Sequence, residues 1–294
     1  MLRPVLVGVD GSPESLAAAE WAAAEASLSG HPLRLVRAWE EVSYPSGSVP
    51  DVAGGRHGAG RALRAAEGHL TRKFPGTRPT CELVQGPAVP TLLAAAAEAE
   101  TLVLGSRGLS GAAGYLAGSV ASDVVAHAAR PVVLVRSAAH RNTAADAAPV
   151  TASPDRVVLG IDLAHHCEKV IEFAFDAAGR RGASLYVLHS YDLPMAYAIA
   201  SAQMPEYQDL LAEERTDALT AVLRPWQEKY PTVHVTADAV MDRAADRLVK
   251  AASGAALLVI GRQERRSRLG AHLGHVAHSV IHHAVCPVAV VPHG

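Results

Sequence analysis

Three classes of function find little footing in what this sequence holds sparingly. Its three cysteines, Cys81, Cys167 and Cys286, stand far apart, odd in number and without a CxxC pair. That pattern argues against a disulfide framework or a thiolate metal site and leaves buried, inert thiols as the expectation. No stretch of eighteen apolar residues occurs, and the opening "MLRPVLVGVDGSPES" lacks the long apolar core of a signal peptide. Neither a membrane span nor secretion is therefore expected, and a cytoplasmic location is. Neither sign of charge dominates: 27 Lys and Arg against 29 Asp and Glu leave a net charge of -2. No global field is available to recruit nucleic acid or an anionic membrane.

What is present is a globular composition, 49% hydrophobic and 19% charged, over 294 residues, enough for two ordinary domains. The chain is written twice. "VLVGVD" (Val5 to Asp10) returns as "VVLGID" (Val157 to Asp162) at an offset of 152. "LVLGSRG" (Leu102 to Gly108) returns as "LVIGRQE" (Leu258 to Glu264) at an offset of 156. "GSVASDVVAHAARPVVLV" returns as "GHVAHSVIHHAVCPVAVV" at that same 156, pairing Gly118 with Gly274, His127 with His283 and Pro131 with Pro287. A constant offset over the last third of both halves marks an internal repeat. Between the copies, Ser137 to Asp155 is rich in Ala, Pro, Thr and Ser. The expected organisation is a domain over 1–138, a linker over 139–154 and a second domain over 155–294.

Within each half, short β-branched runs alternate with alanine-rich stretches, the signature of βαβ units and an α/β fold with a parallel sheet. Strands are expected near 4–9, 33–38, 80–84, 101–104 and 132–135. After Asp10, Ser12 can cap a helix, Pro13 suits its first position and Glu14 complements its positive end. That helix should run to about Ser27 and stop near Gly30. The helix after Gly118 should end at Arg130-Pro131, because proline disfavours helical geometry just before it. The second half carries an additional helix near Pro205 to Leu223, with Leu211, Leu219, Val222 and Trp226 at helical spacing, ended or kinked by Pro225.

The stretch "GSRGLSGAAGYLAGS" (Gly105 to Ser119) follows an apolar strand and leads into a helix. Gly105 lets the chain turn without a Cβ clash, and Gly108 lets backbone N–H groups approach an anion. Gly118 and Ser119 open a helix whose unpaired N–H groups and positive dipole end suit phosphate. A tight turn is the plainer meaning of any glycine-rich loop taken alone. In a doubly wound sheet, however, ligands sit beyond the carboxyl ends of strands where the strand order reverses. Asp10, a carboxylate ending an apolar strand, stands at such an end, placed for a ribose or else for capping the next helix.

Gly105-x2-Gly108-x9-Gly118-Ser119 has the G-x2-G-x9-G-(S/T) spacing of ATP-binding members of the universal stress protein family. "VGVDGS" (Val7 to Ser12) resembles that family's first strand, and "HAARPVVLVR" (His127 to Arg136) its closing helix and strand. The resemblance covers both halves. It implies two tandem doubly wound five-stranded parallel sheets of order 3-2-1-4-5, with helices on both faces. It also implies ATP, with Mg²⁺ as companion ion, the ribose near Asp10 and Gly105, and the phosphates at Gly108, Gly118 and Ser119. Adenine would be held by main-chain groups near Ala38, while Arg107 and Val120 flank these positions and complete the candidate set. The two halves would meet as a pseudo-dimer along "PVVLV" (Pro131 to Val135) and "PVAVV" (Pro287 to Val291), with a further homodimer left open.

The second copy departs from the motif. Glu264 replaces the second glycine, His275 replaces the serine, and "DGS" becomes "DLA" (Asp162 to Ala164). A carboxylate about 4 Å from a phosphate costs up to about 4 kcal/mol at an effective dielectric near 20. A micromolar site has only about 8 kcal/mol in all. Unless the loop swings Glu264 aside, one ATP per chain is expected, in the first half. Four arginines, Arg262, Arg265, Arg266 and Arg268, crowd the second loop, either as a solvated loop, the favoured reading, or as an anion clamp. His275, His278 and His282 fall within about 60° on one helix, flanked by His272 and His283. No closing ligand is evident nearby, so partly exposed, satisfied histidines are expected rather than a metal site. The segment Glu40 to Leu63 is expected as a flap over the nucleotide or an ordinary loop.

These observations point to a nucleotide-binding stress-response protein that acts through a protein partner of unidentified kind. Two rivals remain open. One is a slow ATPase or adenylyl- or phosphoryl-transfer enzyme, disfavoured because the loop lacks the lysine of G-x4-G-K-[ST] and only Arg107 is near. The other is an interaction protein that binds no nucleotide.

Overall fold

Short runs of Val, Leu and Ile without polar alternation form strands buried on both faces, which is how parallel strands sit beneath two helical layers. A computed structural model describes residues 2–40, 55–106, 119–137, 155–165, 167–192, 205–264 and 273–294. Two compact units are present, one built from elements up to Val135 and the other from elements after Arg156.

In the first unit the chain runs β1 (Val5–Gly8), α1 (Pro13–Ser29), β2 (Leu33–Trp39), α2 (Arg56–Lys73), β3 (Thr80–Gln85), α3 (Ala88–Ala97), β4 (Thr101–Gly105), α4 (Ser119–His127) and β5 (Val132–Val135). The sheet order is β3-β2-β1-β4-β5, with every pairing parallel. Helices α1 and α2 pack together, as do α3 and α4. Val5 pairs with Leu33 on one side and Thr101 on the other, so β1 is the central strand at which the winding reverses. In helix α1, Ser12 caps the start by accepting from the Ser15 amide, Pro13 opens the first turn and Gly30 ends the helix in the left-handed region at φ 70. Ala18, Ala19, Ala22 and Ala23 are wholly buried, and their small side chains let the helix lie close to the sheet. Helix α4 ends at His127, earlier than Arg130. Arg130 is drawn away instead, its Nε donating to the Ala99 carbonyl at 2.8 Å and its Nη2 to Glu100 at 3.0 Å.

The second unit repeats the plan with β6 (Arg156–Gly160), a 3-10 turn at Leu163–His165, α5 (Glu168–Arg181), β7 (Ser184–Tyr191), α6 (Pro205–Lys229), β8 (Val235–Met241), α7 (Ala244–Ala251), β9 (Leu257–Gln263), α8 (His275–His283) and β10 (Val288–His293). Its order, β8-β7-β6-β9-β10, is again parallel throughout and is the same winding as in the first unit. Helices α7 and α8 pack together, while α5 lies on β6, β9 and β10.

Tertiary packing bears on two expectations about helices. Of the two outcomes expected at Pro225, an end or a kink, the end does not occur, since α6 continues to Lys229. Beyond the proline, Trp226 and Tyr230 stack against the buried Phe175 of α5, with ring centroids 6.2 and 5.4 Å away. Of the expected positions Leu219 is fully buried while Leu211, Val222 and Trp226 are half-buried, and Leu223 completes the buried face. Similarly, Arg56 to Leu63 was expected as part of a flap or loop and is instead the first half of α2, with Gly58, Ala59, Gly60 and Leu63 buried. Small residues let this helix sit against β2 and β3, and that contact outweighs the poor helix propensity of glycine. The rest of the expected flap, 41–54, lies outside the described residues.

Candidate functional site

At the carboxyl ends of β1 and β4 the first unit has a cavity of about 330 Å³. Its floor is apolar, formed by Val36, Leu92 and Leu104, and its rim carries Asp10, Ser12 and Arg37. Glycine makes the geometry. A Cβ on Gly105 would stand 2.5 Å from the Glu14 carbonyl carbon and 2.6 Å from the Ser15 nitrogen. The first turn of α1 is thus seated directly on the end of β4. A Cβ on Gly8 would meet Leu104 Cδ2 at 2.6 Å.

Asp10 is tied down by its own turn. Its Oδ1 accepts from the Ser12 amide at 2.8 Å and from the Ser12 hydroxyl. Partial loss of water around this carboxyl works to raise its pKa, but the bonds from Ser12 and Ser15 and the Arg37 charge prevail and hold it below the ordinary value. Arg37 donates from Nη1 to the Val9 carbonyl at 3.3 Å, and its buried Nε has no hydrogen-bond partner among the described residues. Sequence reasoning missed Arg37. The available signal was the second of the two arginines in "LRLVRAW", the one nearer the strand's carboxyl end. Glu14, expected at the helix start as a dipole partner, is buried there, with Ser137 Oγ 3.4 Å from its Oε1.

Of the eight residues singled out by sequence, Asp10, Ala38, Gly105 and Val120 line this one cavity. Ser119 is the first residue of α4, directly before Val120. Arg107, Gly108 and Gly118 lie outside the described residues.

The second unit has its own cavity, of about 390 Å³, at the equivalent strand ends. Gly160, Asp162, Leu188, Leu248, Gly261 and Val276 stand where Gly8, Asp10, Val36, Leu92, Gly105 and Val120 stand in the first. Asp162 repeats the turn of Asp10, accepting from the Ala164 amide at 3.0 Å, and its Oδ2 meets His165 Nδ1 at 3.1 Å. Loss of water works to raise this carboxyl as well, and the bonds from His165 and Ala164 hold it low. His189 takes the place of Arg37, with Nδ1 3.1 Å from the Ile161 carbonyl.

One replacement changes the architecture. Helix α5 begins only at Glu168, after the 3-10 turn, and its first turn meets Gly261 through the Val170 side chain, 3.3 Å from where a Cβ would be, rather than through its backbone. The His293 ring lies there instead, its Nε2 2.8 Å from where a Cβ would be. Burial, together with the Arg262 charge, pushes the His293 pKa below the ordinary histidine value, so the ring is neutral at pH 7. Arg262, in the run expected to be a solvated loop, is instead a buried residue of β9. It is 8% exposed and its Nη2 lies 3.8 Å from Glu264 Oε1. Arg265, Arg266 and Arg268 lie outside the described residues. The rings of His278 and His282 meet edge-on at 4.4 Å. Among the described residues no three His, Cys, Asp or Glu side chains are grouped to hold a metal ion, and no helix is long and apolar enough to cross a membrane.

The model of the universal stress protein family matches residues 1–136 and again 154–292. The chain belongs to the universal stress protein family. Similar to it is universal stress protein Rv2005c of Mycobacterium tuberculosis, 34% identical over 97% of this chain and 96% of that protein. A universal stress protein from Archaeoglobus fulgidus, solved by crystallography, shares the fold at a TM-score of 0.67 and 17% identity, over 99% of this chain and 98% of its own. A universal stress protein crystallised in complex with cAMP is 30% identical over 46% of this chain and 98% of its own, at a TM-score of 0.36. Tandem family domains thus account for the repeat, and the parallel five-stranded order in each unit is the one that the motif implied.

Proposed function

We propose that the first domain binds ATP and that the protein acts as a nucleotide-dependent regulator in the stress response, presenting a surface to a protein partner. The observation that carries this reading is the cavity at the β1/β4 reversal, where an apolar floor meets a carboxylate already charged and oriented by Ser12. A flat base suits the floor, and the Asp10 carboxylate is an acceptor for ribose hydroxyls. The main chain at Ala38, on the adjacent strand, offers hydrogen bonds to the base edge. Phosphates would follow toward Arg107, Gly108, Gly118 and Ser119, whose motif spacing supports a main-chain cradle. If Mg²⁺ accompanies the nucleotide, its hard charge is carried by phosphate oxygens and carboxylate.

Calorimetry tests this. ATP should bind with one equivalent per chain, and Asp10→Ala should weaken it at least tenfold without altering the unliganded fold by circular dichroism. Hydrolysis should stay below about one turnover per second, the low end of working kinases. Failure of ATP to bind the folded chain would remove the reading.

A further inference from the structure

The second domain keeps its cavity although its phosphate motif is altered, and it adds a polar group that the first lacks. At the position of Ala38 stands Ser190, on β7, whose buried hydroxyl has no hydrogen-bond partner among the described residues. Ser190 and Leu188, two residues apart on one strand, share a face and line the same cavity. A buried hydroxyl is ordinarily satisfied, so one left unpaired beside an open slot marks a place for a ligand atom. Asp162 lies two residues beyond Gly160 as Ser190 lies two beyond its pairing partner Leu188, so both stand at the carboxyl ends of neighbouring strands, the Asp162 carboxylate held charged by His165 and the Ala164 amide. Leu188, Leu248, Ile260 and Val276 give the slot apolar walls, and His165, Gln263 and His293 add polar groups to its lining. The volume, about 390 Å³, falls within the range of small-molecule sites, roughly 300–1,000 Å³.

We propose that the second-domain cavity binds an uncharged nucleoside, its base edge on Ser190 and its sugar diol on Asp162, and that it rejects the triphosphate the first domain takes. The slot accepts a planar apolar body, the hydroxyl can either donate to or accept from a base edge, and a carboxylate is an acceptor for vicinal hydroxyls. The sequence at the phosphate end departs from the first domain's, with Glu264 and His275 in place of Gly108 and Ser119. The seat on Gly261 is filled by a neutral imidazole instead of the amides of a helical turn. Glu264, exposed at the end of β9, adds negative charge where the first domain has Gly108. The existence of a ligand rests on Ser190 and the cavity, whereas its class rests on the nucleotide reading of the first domain.

Equilibrium dialysis of the full chain tests both parts. With ATP saturating the first domain, adenosine, guanosine, cytidine and uridine are each titrated. At least one of them should bind with a single further equivalent. Ser190→Ala, which restores the residue found in the first domain, should weaken that binding about fivefold, as should Asp162→Asn, while ATP affinity stays unchanged. Failure of all four nucleosides to bind, a second equivalent of ATP, or nucleoside affinity indifferent to both substitutions would overturn the proposal. Nucleoside uptake sensitive to Ser190→Ala in a chain that binds no ATP would instead overturn the first-domain reading and leave this one standing.

Discussion

Gly105 shows how much of a site can depend on one missing carbon. Because a Cβ would overlap the Glu14–Ser15 peptide at 2.5 to 2.7 Å, and backbone cannot swing aside as a side chain does, Gly105→Ala must lift the start of α1. We expect a loss of about 1–3 kcal/mol in urea unfolding, as for other overpacked sites, together with weakened ATP binding. Asp10, Asp162 and Glu20 add a dependence on acidity. Lost hydration works to raise the Glu20 carboxyl, but bonds from Lys73 and His69 hold it low, so all three titrate below their ordinary values. A carboxyl whose pKa is lower folded than unfolded contributes stability above its unfolded value, about 4, and loses it as pH falls through the folded value. Unfolding free energy measured from about pH 6 down to about pH 3 should therefore decline, and Asp10→Asn should make the decline shallower. Sequence exposed these residues unevenly. Ser12 was legible as a cap because its partner is three residues away, Gly30 because a left-handed helix end favours glycine, and Gly105 as a turn glycine. Its partner peptide, the orphan hydroxyl of Ser190 and the wedge of His293 were not, since each depends on a strand or helix distant in the chain.

At the scale of elements, the strands were readable and some helix ends were not. An apolar run bounded by turn residues leaves a parallel strand few alternatives, which is why β2, β4 and β5 stand within a residue or two of expectation. Helix α6 crosses Pro225 because aromatic contact beyond it compensates for the missing N–H. Trp226 stacks on Phe175 and also receives Lys229 Nζ at 5.2 Å from its ring centre. Trp226→Ala should cost about 2 kcal/mol, somewhat under the figure for a fully buried tryptophan, and should reduce helical circular dichroism by unravelling the segment after the proline. An unchanged spectrum would mean that the helix end holds without this stack. Local pattern could not foresee the glycine-rich start of α2 for a similar reason, because the sheet surface that accepts those glycines comes from β2 and β3.

For the molecule as a whole, duplication was the most legible feature, since one constant offset carries both family domains and their shared strand order. Unequal ligand chemistry between the copies has a thermal consequence. ATP at about a hundred times its Kd should stabilise the domain that binds it by about 2.7 kcal/mol. Calorimetric scans should then resolve a transition that moves with ATP from one that does not, and a uniform shift of both would contradict selective occupancy. The contact at Gly105 carries this beyond the crevice. With no slack between the strand end and the first turn of α1, a molecule that displaces that turn pushes on a seventeen-residue rod about 25 Å long. Through Glu20, which grips His69 and Lys73 on α2 at 2.6 and 2.8 Å, the push reaches the outer layer. Occupancy of a pocket at the sheet's rim thereby becomes readable on the protein's skin, at α2, a helix that contributes nothing to the pocket's lining.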